Sequence, residues 1–215
     1  MLEIDALLFD LDGTLVDSRR DLTTSVRWLQ RRYRVPLSSP RDVASYIGDG
    51  VVKLVQRALP DVRGRSFARA IEEYKAHYRV HCLDTTRDYP GVRETIFHFR
   101  RKKLAVITNK PAGATRRILS GLGLLTPFRC VLGGDSLRRK KPFPDPVIRA
   151  LHELGVPRSD RAVMVGDGPN DVLAGRAAGT LTCLVRGNIT PSEKLQNIHP
   201  DFELLQFGDL RHFFR

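Results

Sequence analysis

The sequence predicts an α/β fold in which a Rossmann-like parallel sheet core is flanked by helices and carries an inserted helical cap subdomain. Three observations predict it. Short apolar runs end at polar or glycine-rich turns, and amphipathic stretches of helical length follow them. This alternation is interrupted once, by a purely helical pattern over residues 16–85. Strands that alternate with helices indicate a parallel sheet covered on both faces.

The core elements follow from these apolar runs. Buried strands are predicted over residues 6–9, 104–107, 131–132 and 162–165. Amphipathic periodicity predicts helices over residues 91–102, 112–121, 144–154 and 168–178. A strand near 181–185 and a last strand and helix near 202–214 complete the core.

The inserted segment has helical periodicity and no convincing buried strand. Its helices are predicted over residues 18–34, 41–46, 51–59 and 66–82. Residues 15–18 carry the chain out of the core, and the turn at residues 88–91 (Asp-Tyr-Pro-Gly) returns it. We therefore assign residues 1–15 and 86–215 to a catalytic core and residues 16–85 to a helical cap, called below the helical insert.

The charge of the chain is strongly basic. Its 215 residues include 36 Lys and Arg against 24 Asp and Glu, a formal net charge of +12, which favours anionic ligands. The basic residues form short separated clusters without interleaved aromatic residues, so the pattern does not favour a nucleic-acid site. A basic binding protein without catalytic activity is the alternative from another functional class.

Cysteine usage and apolar run lengths exclude other classes. The three cysteines are far apart and form no CxxC pair, so neither a disulfide framework nor a zinc site is indicated. The first residues resemble no signal peptide, and no apolar run is long enough to span a bilayer. We expect a cytoplasmic protein without membrane partners, either a monomer or a homodimer.

Polar residues follow each predicted strand of the core. Because ligands bind beyond the carboxyl ends of parallel strands, we expect these residues to meet in one cleft. In chain order they are Asp10 and Asp12, then Thr108 and Asn109, then Lys140 and Lys141, then Asp167 and Asp171.

In such a cleft, the three carboxylates of Asp10, Asp12 and Asp167 would make an oxygen-rich anionic pocket suited to Mg²⁺. A carboxylate that attacks a phosphate dianion meets like-charge repulsion, so phosphoryl transfer needs a cation and hydrogen-bond donors. Lys141, the Thr108 hydroxyl and the backbone N–H groups around Asn109 are available as donors. Asp12 could protonate a leaving alkoxide and then take a proton from water.

These residues resemble the four motifs of the haloacid dehalogenase superfamily, in the right order over nearly the whole chain. The motifs are Asp-Leu-Asp-Gly-Thr at 10–14, Thr108, Lys141 in Lys-Pro-Phe-Pro, and Gly-Asp at 166–167 with Asp171. The helical insert resembles that superfamily's cap. A second aspartate, here Asp12, is typical of its phosphatase members.

The resemblance implies a role for each motif residue. Asp10 is the expected nucleophile and Asp12 the general acid and base, with Thr108, Asn109 and Lys141 as phosphate-binding residues. The expected Mg²⁺ ligands are Asp10, Asp12 through its main-chain carbonyl, Asp167 and Asp171. Two alternatives stay open. Thr108 could instead cap the next helix. Asp171 could support Lys141, or it could simply be a first-turn acid that the helix dipole stabilises.

Within the superfamily, the chain resembles the bacterial phosphoglycolate phosphatases in residues 108–111, 133–135, 140–146, 47–59 and 200–202. This implies a Mg²⁺-dependent phosphomonoester hydrolase that acts through an aspartyl-phosphate on a small phosphorylated metabolite, 2-phosphoglycolate. The alternatives are another small phosphate or pyrophosphate as substrate, a sugar-phosphate mutase, and a phosphonoacetaldehyde hydrolase that uses Lys53.

Substrate choice is the least determined feature. Gly48, Asp49 and Gly50 could let the backbone approach a small substrate or simply form an inter-helix turn. Arg57 could bind a substrate carboxylate or lie on a solvated helix face. The chain also departs from the family pattern at residues 168–169 and 186–188. Which of the twin lysines, Lys140 or Lys141, faces the cleft is not decided by sequence.

Overall fold

The core of the computed structural model, which describes residues 1–186 and 189–215, is a six-stranded parallel sheet. The strands are β1 (Ala6–Phe9), β2 (Val16–Asp17), β3 (Arg87–Asp88), β4 (Lys103–Ile107), β5 (Cys130–Leu132), β6 (Ala162–Gly166), β7 (Leu181–Val185) and β8 (Phe202–Leu204). The strand order of the main sheet is β5-β4-β1-β6-β7-β8. A separate two-stranded antiparallel ribbon pairs β2 with β3. The predicted fold class is confirmed.

Nine α-helices lie in the described ranges. They are α1 (Arg19–Arg32), α2 (Pro40–Tyr46), α3 (Val51–Ala58), α4 (Gly64–His81), α5 (Val92–His98), α6 (Ala112–Gly121), α7 (Asp145–Glu153), α8 (Pro169–Ala177) and α9 (Leu210–Phe213). Each lies where the periodicity predicts it. Helix α5 ends before the predicted residue 102, because a turn in which Lys102 N–H donates to the Phe99 carbonyl leads the chain into β4.

Side chains of the central strand alternate between two apolar clusters. Leu7 and Phe9 of β1 belong to a cluster with residues of α5, α6 and α9, whereas Ala6 and Leu8 belong to a second cluster with residues of α7 and α8. All four are fully buried. Both faces of the sheet are therefore covered, which explains why its strands are nearly continuous apolar runs.

The helical insert leaves and re-enters the core at one place. Its ends are joined by the β2–β3 ribbon, in which Val16 pairs with Asp88. The buried carboxylate of Asp21 on α1 accepts hydrogen bonds from the backbone N–H groups and hydroxyls of Thr85 and Thr86, at 2.6 to 3.1 Å. These contacts fix the first helix of the insert to the returning segment. No helix in the described part of the chain is long and apolar enough to cross a membrane.

Candidate active site

The polar residues at the strand ends surround one cavity of about 430 Å³ between the sheet and the helical insert. Strand β1 lies between β4 and β6, so Asp10 has Thr108 on one side and Asp167 on the other. All three are nearly buried and line the cavity. The convergence that strand order predicts is therefore present.

Lys141 is the twin lysine that faces the strand ends. Its Nζ atom is 3.0 Å from Asp10 Oδ1 and 2.5 Å from Asp171 Oδ1, and it donates to the Ile107 carbonyl at 2.6 Å. Burial alone would lower the pKa of Lys141, but the two carboxylates outweigh burial and raise the pKa above its ordinary value. A buried, charged ammonium thus touches the predicted nucleophile. Lys140 instead donates to the Asp49 carbonyl of the helical insert at 2.6 Å.

Asp167 follows β6 and is held by Thr190, whose N–H and hydroxyl donate to its Oδ2 at 3.0 and 2.9 Å. Burial, together with the charges of Asp10 and Asp171, raises the pKa of Asp167 to about 8. Gly13 passes close by with φ +85°, and a Cβ atom there would lie 2.2 Å from Asp167 Oδ2. Only glycine fits at this turn.

The carboxylates of Asp10, Asp167 and Asp171 each place an oxygen within 4.8 Å of the others. Three acidic groups so close together repel one another when they are ionised. An all-oxygen donor set of this charge suits a hard divalent cation such as Mg²⁺. Asp171 also bonds Lys141 and accepts from Gly168 N–H at 3.0 Å, so its position serves the lysine and the carboxylate cluster together.

The side chain of Asp12 lies outside that carboxylate cluster in the described structure. Lys110 Nζ is 2.8 and 2.6 Å from its two oxygens, and the Ser18 hydroxyl donates to Oδ1 at 2.6 Å. The Lys110 ammonium also lies 4.7 Å from the ring centre of Tyr78 on α4. Sequence reasoning missed this lysine, although it directly follows Thr108 and Asn109 at a strand end.

Thr108 is not the cap of the following helix, because the N-cap residue of α6 is Pro111. Its hydroxyl oxygen accepts from Lys110 N–H at 3.2 Å and leaves the hydroxyl proton available. The Asn109 amide donates to the carbonyls of Gly48 and Lys141, both at 2.8 Å, so this side chain joins two loops.

Backbone N–H groups at this end of the sheet include those of Leu11, Asp12 and Asn109, which have no hydrogen-bond partner among the described residues. Backbone donors of this kind, together with Lys141, suit the oxygens of a phosphoryl group.

Of the predicted specificity residues, Gly48, Asp49 and Gly50 form a loop that contacts the core, and Arg57 lies on α3. The Gly48 carbonyl and Asp49 Oδ1 accept from Asn170 of α8 at 3.1 and 2.9 Å. Arg57 is 2.5 Å from Asp49 Oδ2 and donates to the Tyr46 carbonyl, so its guanidinium is engaged within the insert. Burial raises the pKa of Asp49, but hydrogen bonds from Asn170 and Arg57 outweigh it and leave the pKa lowered.

Three further positions from the sequence analysis have different outcomes. Lys53 is exposed, its Nζ is 3.4 Å from Gln56, and it does not line the cavity. This position disfavours the phosphonoacetaldehyde alternative. Gly168 and Pro169 begin α8 beside the carboxylate cluster. Of the departure at 186–188, Gly187 and Asn188 lie outside the described residues.

Comparison with known proteins agrees with this geometry. The family model described as haloacid dehalogenase-like hydrolase matches residues 4–179. A phosphoglycolate phosphatase from Chromobacterium violaceum is 39% identical over 183 residues, covering 82% of each chain. Another from Aquifex aeolicus is 35% identical over 206 residues, covering 95% of this chain and 93% of that protein.

Comparison with a solved structure also points to this family. The crystal structure of a predicted phosphoglycolate phosphatase from Haemophilus somnus 129pt superposes with a TM-score of 0.92 at 29% identity, covering 98% of this chain and 97% of that one. The predicted superfamily and the prediction of an enzyme are thereby confirmed. The chain belongs to the haloacid dehalogenase-like hydrolase family and is a phosphatase of that family.

Proposed function

We propose that the chain is a Mg²⁺-dependent phosphomonoester hydrolase that acts through an aspartyl-phosphate on Asp10, with 2-phosphoglycolate as substrate. The observation that carries the proposal is that one cavity brings together a buried carboxylate touched by Lys141, a second carboxylate paired with Lys110, and a cluster of three acidic oxygens. We further propose that the helical insert, residues 16–85, acts as a cap over the leaving group.

The first half of the reaction belongs to Asp10. One of its oxygens forms a bond to phosphorus while the bond from phosphorus to the ester oxygen breaks, and Asp12 supplies the proton that the departing alkoxide takes. Lys141, the Thr108 hydroxyl and the backbone N–H groups of Leu11 and Asn109 would donate to the phosphoryl oxygens. Such fixed donors stabilise the charge that the transition state spreads over those oxygens.

The second half belongs to Asp12. An ionised Asp12 takes a proton from water, and the resulting hydroxide attacks phosphorus and releases Asp10 and inorganic phosphate. The hydrogen bonds from Lys110 and Ser18 fix the direction of this carboxylate. Tyr78 covers Lys110 from the insert, which keeps this ion pair away from bulk water.

The oxygen atoms of Asp10, Asp167 and Asp171 would hold Mg²⁺, together with the main-chain carbonyl of Asp12. When bound, the ion would supply the positive charge that offsets the repulsion between the carboxylates and a phosphate dianion. The fit rests on the donor set itself, three carboxylates within 4.8 Å of one another.

The substrate proposal is supported by the names of the relatives and by the basic character of the cavity wall. A second candidate is a phosphatase for a larger ester. A volume of about 430 Å³ and an apolar wall that includes Ile47, Leu22 and Leu54 give room for a leaving group bigger than glycolate. Pyrophosphate, whose leaving group is itself a charged phosphate, fits this apolar wall less well.

Phosphate release from a panel of esters tests both candidates. The panel contains 2-phosphoglycolate, 3-phosphoglycerate, hexose phosphates, nucleotides and pyrophosphate, each with Mg²⁺ and with excess EDTA. A kcat/KM preference for 2-phosphoglycolate that EDTA abolishes and Mg²⁺ restores is the expected result. A preference for a larger ester would support the second candidate instead of 2-phosphoglycolate. Turnover that EDTA leaves unchanged would contradict the metal dependence.

A further inference from the structure

One face of helix α4 forms the wall of the cavity opposite the strand ends. Tyr74, Lys75, Tyr78 and Arg79 all line the cavity. Their spacing places Tyr74 above Tyr78 and Lys75 above Arg79, in two adjacent rows on the helix surface. The rings of Tyr74 and Tyr78 are parallel, with centroids 5.9 Å apart.

The hydroxyl of Tyr74 is the first notable feature of this face. The residue is 3% exposed, and its hydroxyl has no hydrogen-bond partner in the described structure. Burial raises the pKa of Tyr74 well above its ordinary value, so the hydroxyl remains protonated and can donate. A buried, unpaired hydroxyl costs free energy in the empty protein, and a ligand atom that accepts from it would recover that cost.

The cations of the cavity wall differ in whether their side chains already have an ion-pair or hydrogen-bond partner. Lys141 and Lys110 bind carboxylates of the strand ends, Arg57 binds Asp49, and Lys194 donates to the Ser45 carbonyl at 2.7 Å. Lys75 is 2.7 Å from the exposed Glu72. Within the described part of the chain, Arg79 is the cation of this wall whose side chain makes no ion pair or hydrogen bond.

We propose that Arg79 and Tyr74 form the subsite for the second anionic group of the substrate, a carboxylate joined to the phosphate by a short linker. This inference rests on the proposed function, because it assigns the leaving-group end of that substrate to α4 while the phosphoryl end lies at the strand ends. The guanidinium would supply the charge and the paired N–H donors that suit a carboxylate, and the Tyr74 hydroxyl would supply a further hydrogen bond.

The test compares 2-phosphoglycolate with its amide, in which CONH₂ replaces the carboxylate and the phosphate ester is unchanged. Wild type should prefer the acid. Arg79→Gln should lower kcat/KM for the acid roughly 10-fold to 100-fold and for the amide less than about 3-fold. Arg65→Gln is the matched control, because Arg65 is an exposed arginine of the same helix that does not line the cavity, and it should change neither value.

Tyr74→Phe gives a second readout that a purely structural residue would not produce. It should lower kcat/KM for the acid about 3-fold to 10-fold while the melting temperature stays equal or rises, since the lost hydroxyl has no partner in the free protein. A lower melting temperature with equal losses on both substrates would contradict a role in recognition.

The outcomes separate the two proposals. Suppose that wild type prefers the acid. If Arg79→Gln keeps that preference, or loses activity equally on both substrates, the subsite is overturned and the proposed function stays intact. A wild type that hydrolyses the amide as well as the acid overturns the subsite and leaves hydrolysis of 2-phosphoglycolate in place. A wild type that hydrolyses neither substrate overturns both proposals. Arg79→Lys should restore part of the preference, because it returns the charge without the paired donors.

Discussion

The ammonium of Lys110 lies 2.6 and 2.8 Å from the two carboxylate oxygens of Asp12, although the residues are 98 positions apart in the chain. Both side chains are nearly buried, at 4% and 11% exposure. An ion pair this close fixes the direction of the carboxylate. It therefore connects the segment after β4 to the proposed acid and base of the reaction.

Lys110→Met tests this connection. Removing the cation leaves the Asp12 carboxylate without the partner that fixes its direction, and both halves of the proposed reaction use this carboxylate. We expect kcat to fall roughly 10-fold to 100-fold. Lys53→Met, at an exposed lysine outside the cavity, is the control. An unchanged kcat in Lys110→Met would argue against the role in positioning Asp12.

The two aspartates that follow β1 should differ when each is replaced by asparagine. Asp10→Asn should remove turnover by about 10³-fold or more while the circular dichroism spectrum stays unchanged, because an amide oxygen is a poor nucleophile. Asp12→Asn should also be inactive but could accumulate phosphoenzyme, since the later hydrolysis loses its base. Acid-quenched protein incubated with ³²P-labelled substrate reports this difference, and substantial activity of Asp10→Asn would refute the nucleophile assignment.

Asp167→Asn should stabilise the metal-free protein at alkaline pH. The folded pKa of about 8 lies above the ordinary value, so the folded state keeps a proton that the unfolded chain has already released. Metal-free stability consequently falls as pH rises towards 8, by up to about 1.4 kcal/mol per pH unit. Asparagine does not titrate and removes this loss.

Melting temperatures of metal-free wild type and Asp167→Asn at pH 5.5 and pH 8.5 measure this effect. We expect the variant to melt a few °C higher than wild type at the alkaline pH. Added Mg²⁺ should stabilise wild type and have little effect on the variant. Asp61→Asn, at an exposed aspartate of the insert, should behave like wild type. Equal pH dependence in both proteins would show that Asp167 is not the group responsible.

Gly48 and Gly50 form a matched pair for the loop of the insert. Both have positive φ, at +106° and +84°, so alanine strains the backbone at either position by about 1–3 kcal/mol. A Cβ atom at Gly50 would also lie 2.6 Å from Lys140 Nζ and 3.0 Å from the Asn109 carbonyl, whereas one at Gly48 meets nothing within 4 Å. We expect Gly50→Ala to lower kcat/KM about 10-fold more than Gly48→Ala, as measured by phosphate release. Equal losses would mean that close approach of this loop to the core is unimportant.

Local periodicity was sufficient for the helices and for the six strands of the main sheet, but not for the short β2–β3 ribbon. The run at residues 6–9 predicts a buried strand, and residues 169–177 lie within a predicted helix, because side-chain spacing along a strand or helix is a property of neighbouring residues. The order of the strands along the chain was also enough to place Asp10 and Asp167 in the same cleft. That second inference depends only on the rule that ligands bind beyond the carboxyl edge that parallel strands share.

Only the tertiary structure decided which group each cationic side chain of the cavity contacts. Lys140 and Lys141 are indistinguishable by type and position, yet one reaches Asp10 and the other the loop of the insert. Arg57 is engaged by Asp49 rather than offered to a substrate, and Lys110 pairs with Asp12. Arg79 is left over from these pairings among the described residues. These partners come from distant segments or different turns. The direction of each side chain depends on the carboxylate or carbonyl group that tertiary packing brings next to it. No local sequence pattern encodes that packing.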